Sequence, residues 1–339
     1  MSEDSGAEGG LGVHSDPIGM GSSKPDAAGS SPVELIRALA VLAEPPTVGY
    51  DSLAGVIGLQ GTPDPAEFSD LFLFQLYPYA SVHLGAEGMM GGEARDRVAG
   101  FWRAIGRTPP PEPDHLAALL GLYVTLAERG TAGEGAEDLM AGQAKDALLR
   151  EHLAPWVFAY LERVRELTRG FYADWADLLS RTLRRELASA SKLDQSSAAE
   201  TLPLHLREAP GLPDPRSEGG DGFLQAMLAP VRCGVILTRA DLARIAGDLD
   251  LGLRAGERRY ALEHLLGQEP VSVLQALGEE ARRQGETHAT RASWLGVVAD
   301  FFARRANDTA ALLAALAEEG SVHLETAAVG ATVEAPTAR

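Results

Sequence analysis

The residues best equipped for chemistry stand together at 112–115: Glu112, Pro113, Asp114 and His115, inside the stretch PPPEPDHLAALLGLYVTLAERG (109–130). Two carboxylates and an imidazole at one point suggest three uses. They could hold a metal or exchange protons, they could recognise a cationic partner, or they could cap the helix whose apolar pattern begins at Leu116. Metal sites on helices place their ligands one turn apart so that both face the same point, as in H-E-x-x-H. Asp114 and His115 are neighbours, about 100° apart on a helix, and Glu151-His152 has the same adjacent spacing. No CxxC or HxxxH pair supports either. A helix N-terminus exposes unpaired N–H groups that a carboxylate accepts. With two carboxylates within three positions, one can cap while the other meets a cation. His115 adds a group whose charge changes near neutral pH.

Other chemistries find less support. No G-x-S-x-G elbow occurs, and Cys233, in APVRCGVIL, has no base close in sequence and reads as a buried small hydrophobe. GMMGGEARD is rich in glycine but fits neither the Walker pattern nor the dinucleotide fingerprint. The stretch LTRADLARIAGDLDLGLRAGERRYALEHL has the rhythm of a helix-turn-helix, with Thr238 and Asp241 spaced as a capping box. Residues 221–290 carry eight basic and ten acidic side chains, a balance of −2, where a reader of DNA presents a basic face. Capping without DNA contact is the better account of it.

The whole chain leans the same way. Its 339 residues hold 48 acidic and 30 basic side chains, a formal charge of −18. Such a surface repels phosphate backbones and attracts cationic ligands, including basic peptides. A single cysteine permits no intrachain disulfide and fits a reducing compartment. The N-terminus has neither a basic start nor an apolar run, and nowhere do about 18 apolar residues run together. Together these features predict a soluble cytoplasmic protein with no stable membrane insertion.

The elements that must position 112–115 are helical. Residues 1–31, rich in Gly, Ser and Asp, predict a disordered tail. Ser31-Pro32 opens a helix that Pro45-Pro46 stops, and Asp64-Pro65 with Glu67 opens another. Phe68, Leu71, Phe72 and Gln75 share one face of that second helix, but Leu73, Phe74, Leu76 and Tyr77 make it apolar almost all round, the pattern of a core helix. Val98, Phe101, Trp102 and Ile105 form a stripe on the next. Leu116, Leu119, Leu120, Tyr123 and Leu126 form one on the helix after the 112–115 cluster, which Gly130 ends. A long amphipathic region from about 136 to 169 contains Pro155, which either kinks it or starts a second helix. The periodicity therefore predicts an all-α fold: a helical domain over 32–188, a flexible linker over 189–220, a C-terminal helical region over 221–318, and a polar tail over 319–339. VRCGVIL, the single candidate strand, is short.

These residues resemble a known family. EPDHL, Glu112 to Leu116, is similar to the E-P-x-D-H type signature of the TorD/DmsD/NarJ redox-enzyme maturation chaperones, in its compact form with Asp114 directly after Pro113. LYPYASVHLGAEGMMGGEARDRVAGFWRAIG precedes it and EHLAPWVFAYLERV and FYADWADLL follow it in the matching order, so that the likeness spans about 33–186. The resemblance implies an all-helical chaperone of the TorD-like type. It would bind the precursor of a molybdenum-containing oxidoreductase of the dimethyl-sulfoxide-reductase type, or its twin-arginine signal peptide. It would assist insertion of the molybdopterin cofactor before export. By the same resemblance Glu112, Pro113, Asp114 and His115 belong to the partner-binding signature, and Tyr79, His152 and Trp156 of the matching stretches join the candidate set with Tyr123 of the helix after the signature. No catalytic residue, metal ligand or cofactor is assigned, and residues 221–318 extend beyond the minimal family domain. Two other classes stay open: a helical metal-dependent or nucleotide-handling enzyme using Asp114 and His115, and a helix-turn-helix regulator built on 238–266.

Overall fold

Prolines and capping side chains set most of the helix starts. A computed structural model of the protein describes residues 31–193 and 201–333, with side chains over 31–190 and 201–320. Ser31 accepts the Glu34 N–H and Pro32 follows at the first helical position, opening α1 (Pro32–Val41). After α2 (Tyr50–Val56), Asp64 accepts the N–H groups of Ala66 and Glu67 and opens α3 (Pro65–Phe68). That helix widens at once into a π turn, Ser69–Gln75. The short α4 (Ala80–Leu84) and then α5 (Gly92–Ala104) and α6 (Leu116–Gly130) bracket the 105–115 loop. α7 (Ala136–Ala147) runs through a second π turn, Leu148–Leu153, into α8 (Ala154–Leu167). Pro155, which has no N–H to donate, sits in the first turn of α8, directly after that π turn. α9 (Phe171–Leu193) completes this half.

The second half contains α10 (Leu204–Arg207), α11 (Pro215–Glu218), α12 (Gly220–Met227) and α13 (Pro230–Cys233). It continues with α14 (Arg239–Asp248), α15 (Arg258–Gln268), α16 (Pro270–Ala289), α17 (Ala292–Leu295) and α18 (Val297–Val333). Among the described residues there is no strand, and the fold is all-α. No described helix is long and apolar enough to cross a membrane.

Two apolar cores result. The first is centred on α1, α6, α8 and α9 and holds Trp156, Trp175, Tyr123, Tyr160 and Tyr172. Phe72 from the first π turn packs edge-on against Tyr172 and Trp175, while its neighbours Leu73 and Phe74 face solvent, about half exposed. The helix expected to be buried nearly all round therefore buries only one face. The second core joins α12 to α16 and α18. The two are not separate: Val231, Ile236, Val298, Phe301 and Phe302 from the second half belong to the first core. Charge joins the halves as well. Arg163 on α8 donates to both oxygens of Asp241 on α14 (2.7 and 2.6 Å), and Arg283 on α16 donates to Glu166 (2.7 and 3.2 Å).

Three features differ from the sequence expectations. VRCGVIL is not a strand, because Pro230 starts a helical turn that Gly234 ends at φ +74°. A Cβ there would lie 2.3 Å from the Ala306 nitrogen, so glycine is required for α18 to pass. The segment expected as a linker is folded over 201–220. Leu206 is fully buried in the first core and Leu212 packs on the second, apolar anchors that the Ser, Pro and Gly content obscured. Finally, α18 runs to Val333, past the expected start of the polar tail, through a stretch where alanine, the best helix former, recurs. The expected disorder over 1–30, and whatever 194–200 and 334–339 do, lie outside the described residues.

Candidate partner-binding site

The 105–115 loop is tied down by its backbone. The Arg95 guanidinium donates to the Pro111 carbonyl (3.0 Å) and the Trp102 indole N–H to the Pro113 carbonyl (3.3 Å). The loop then pairs with the segment entering α4. The Ala80 N–H donates to the Asp114 carbonyl (3.0 Å) and the Leu116 N–H to the Pro78 carbonyl (2.8 Å), an antiparallel bridge between Tyr79 and His115. Proline at 78 and 113 withdraws two donors from this crossing, leaving a defined pair of bonds.

The side chains divide into an inner and an outer set. Asp114 is 1 % exposed, and its Oδ2 accepts the Ser81 N–H at the start of α4 (3.1 Å). It therefore caps α4 across the crossing, not the helix that follows it in sequence. That helix, α6, is capped by His115, whose Nδ1 accepts the Ala117 N–H (3.2 Å). In the outer set Glu112 and Glu44 are exposed, Tyr79 is half-buried and His115 is largely covered. Glu112 accepts the Tyr79 hydroxyl (2.9 Å), and the Tyr79 and His115 rings meet edge to face at 4.9 Å. Glu44, from the turn after α1, brings Oε1 to 3.5 Å from His115 Nδ1, with half of its side chain exposed. The site thus presents two accessible carboxylates, Glu44 and Glu112, at the edges of a Tyr79–His115 ring pair. Burial lowers the His115 imidazole from its ordinary value, against the pull of Glu44, Glu112 and Asp114. Burial and the bond to Glu112 raise the Tyr79 phenol.

Tyr79, Glu112, Pro113, Asp114 and His115 are therefore brought together, whereas Tyr123, His152 and Trp156 are interior. The Tyr123 hydroxyl donates to Glu186 (2.6 Å) inside the bundle. His152 packs on Phe101, its carbonyl accepts the Trp156 indole (2.8 Å), and burial pushes its imidazole down to about 4. Trp156 stacks on His83 at 5.0 Å, beneath residues of the second half. Sequence reasoning missed Glu44 and Ser81. The proline stop after α1 is the one local signal for Glu44, since it leaves that side chain on a turn.

Neither alternative chemistry is assembled here. Among the described residues no three His, Cys, Asp or Glu side chains are grouped to hold a metal. In the helix-turn-helix stretch the capping box of Thr238 and Asp241 forms, but Asp241 faces Arg163 in the interior. Arg258, at the start of α15, donates to the Leu237 carbonyl (2.8 Å) and is taken up inside the protein, while Arg259 pairs with Asp221 at the surface (2.8 Å).

Residues 65–162, which carry the whole crossing except Glu44, match the family model described as the nitrate reductase delta subunit. No curated protein and no solved structure matches the chain. The signature, its helical setting and this match agree: over residues 65–162 the chain is similar to the nitrate reductase delta subunit family, a NarJ/TorD-type chaperone family.

Proposed function

We propose that the protein is a cytoplasmic, non-enzymatic chaperone for a molybdenum-containing oxidoreductase of the dimethyl-sulfoxide-reductase type. It binds the precursor catalytic subunit, or its twin-arginine signal peptide, and assists molybdopterin cofactor insertion before export. The observation that carries the reading is the exposed pair Glu44 and Glu112 flanking Tyr79 and His115, at the family signature. A twin-arginine segment offers two guanidinium groups, and carboxylates accept them in charge-assisted, bidentate hydrogen bonds. The net charge of −18 adds a long-range attraction that speeds encounter.

The test is titration of the protein with a synthetic peptide carrying two consecutive arginines followed by an apolar stretch. Binding is expected, weakening as salt rises because exposed charges are screened over about 8–10 Å. Replacing both arginines by glutamine should weaken it further. Affinity indifferent to salt and to that replacement would sink the reading.

A further inference from the structure

His115 Nδ1 has two partners with opposite demands. To cap α6 it must offer a lone pair to the Ala117 N–H, 3.2 Å away. To pair with Glu44, whose Oε1 lies 3.5 Å from the same nitrogen, it must carry a proton. One nitrogen cannot do both. In the neutral ring Nδ1 caps the helix and Glu44 is left to solvent. In the protonated ring Nδ1–H turns to Glu44 and the cap is given up.

Resting on the proposed function above, we infer that His115 is a proton-controlled competitor for Glu44, so that cationic-peptide binding at this site is coupled to release of one proton from His115. The charged and titratable groups facing the imidazole come from three segments. Glu44 approaches from the turn after α1, Tyr79 from the entry to α4, and Glu112 and Asp114 from its own loop. Asp114 is buried on the Ser81 N–H and Glu112 lies against the Tyr79 hydroxyl, so Glu44, 3.5 Å from Nδ1, is the carboxylate that His115 and an incoming guanidinium share.

The sign follows from linkage. A guanidinium on Glu44 removes the imidazolium's counter-ion and adds a like charge beside it, so the bound state disfavours protonated His115. Any proton Nδ1 took from solvent returns to solvent when the peptide binds. Affinity is therefore full above the His115 pKa of the free protein and falls as pH drops below it. Burial holds that pKa below 6.5, so the loss begins on the acid side of neutrality.

The experiment is calorimetry of the diarginine peptide, made without His, Asp or Glu, against the full chain from pH 7.5 to pH 5.0. This range ends above the ordinary carboxylate range. The dissociation constant should rise as pH falls, by at most tenfold per pH unit, and buffers of different ionisation heat should report up to one proton released per peptide. His115→Asn keeps a side chain that caps helices well but cannot take up the proton. It should bind with the same affinity at pH 5.5 and 7.5. Glu44→Gln, at an exposed position, should bind more weakly at pH 7.5 and show a shallower slope. Binding that is flat with pH in the unaltered protein, or a slope that persists in His115→Asn, overturns the inference and leaves the proposed function standing. If His115→Asn does not fold, an unchanged slope in Glu44→Gln overturns it equally. No binding at any pH in low salt overturns the proposed function itself.

Discussion

Asp114 and Glu112 sit two residues apart and do opposite work, which makes them separable by substitution. Asp114 is sealed in, holding the Ser81 N–H, and Glu112 is at the surface. Asp114→Ala strands a buried N–H donor and should cost about 1–3 kcal/mol of stability. Asp114→Asn keeps an acceptor oxygen and should cost less, and in both variants peptide affinity should change less than in Glu112→Gln. Thermal unfolding alongside peptide titration checks this. Asp114→Asn that melts normally yet loses binding as Glu112→Gln does would give Asp114 a direct role. The signature was legible because its four residues are contiguous and opened by prolines. Their partners were not. Glu44 and Ser81 join them through tertiary packing, and no periodicity connects a turn after α1 to a loop before α6. The choice of His115 over Asp114 as cap was equally hidden, since aspartate is the better N-cap in isolation and only the crossing with α4 withdraws it.

Between elements, the contact of α8 with α14 and α16 concentrates charge in the interior. Arg163 and Asp241 are almost wholly buried, and Asp241 also closes the Thr238 capping box. Asp241→Ala leaves Arg163 with Glu166 and Glu280, so in urea unfolding it should destabilise by less than the about 3–5 kcal/mol of a fully stranded buried charge. A change within experimental error would mean that water reaches Arg163. Glu280, beside them, is buried, which alone would raise its carboxyl. The bonds from Arg283 and Gln284 and the nearby Arg163 instead hold it below the ordinary 4.5. A depressed carboxylate stabilises the fold above its unfolded value and loses that contribution as pH falls through the folded one. Glu280→Gln should therefore cost stability at pH 6 and converge with the unaltered protein as pH falls through the lowered folded value. A constant gap would assign the effect to packing. The elements themselves were readable wherever a cap or proline marks a start, as at Ser31, Asp64 and Thr238. They were misread where composition overrode single anchors. Leu206 makes part of a Ser- and Pro-rich stretch a packed segment, and Pro230 with Gly234 turns a strand-like run into a helical turn.

At the scale of the molecule, the family match ends at residue 162, while the core it belongs to does not end with the first half. Val231, Ile236, Val298, Phe301 and Phe302 are all at most 7 % exposed and lie in the first core. Trp294 packs edge-on against Phe158 at 4.8 Å, and Gln225 donates to the Glu87 carbonyl (2.6 Å). Burying a large apolar side chain contributes about 1.5–3 kcal/mol. The five together represent about 7–15 kcal/mol, an upper estimate because unfolded chains already bury some surface. That equals the entire stability of a typical domain, about 5–15 kcal/mol. The two halves should then unfold as one unit, and a chain stopped at residue 193 should lack a fixed core although it keeps every signature residue. It is expected to retain far-UV helical signal, lose near-UV aromatic signal, bind a hydrophobic dye and melt without a sharp transition, the behaviour of a collapsed but unpacked state. In the full chain, Phe302→Ala should lower the single melting transition without splitting it. A truncated chain that melts cooperatively and binds the diarginine peptide as the full chain does would make the second half an appendage. The shared core would then be a contact that the first half can do without.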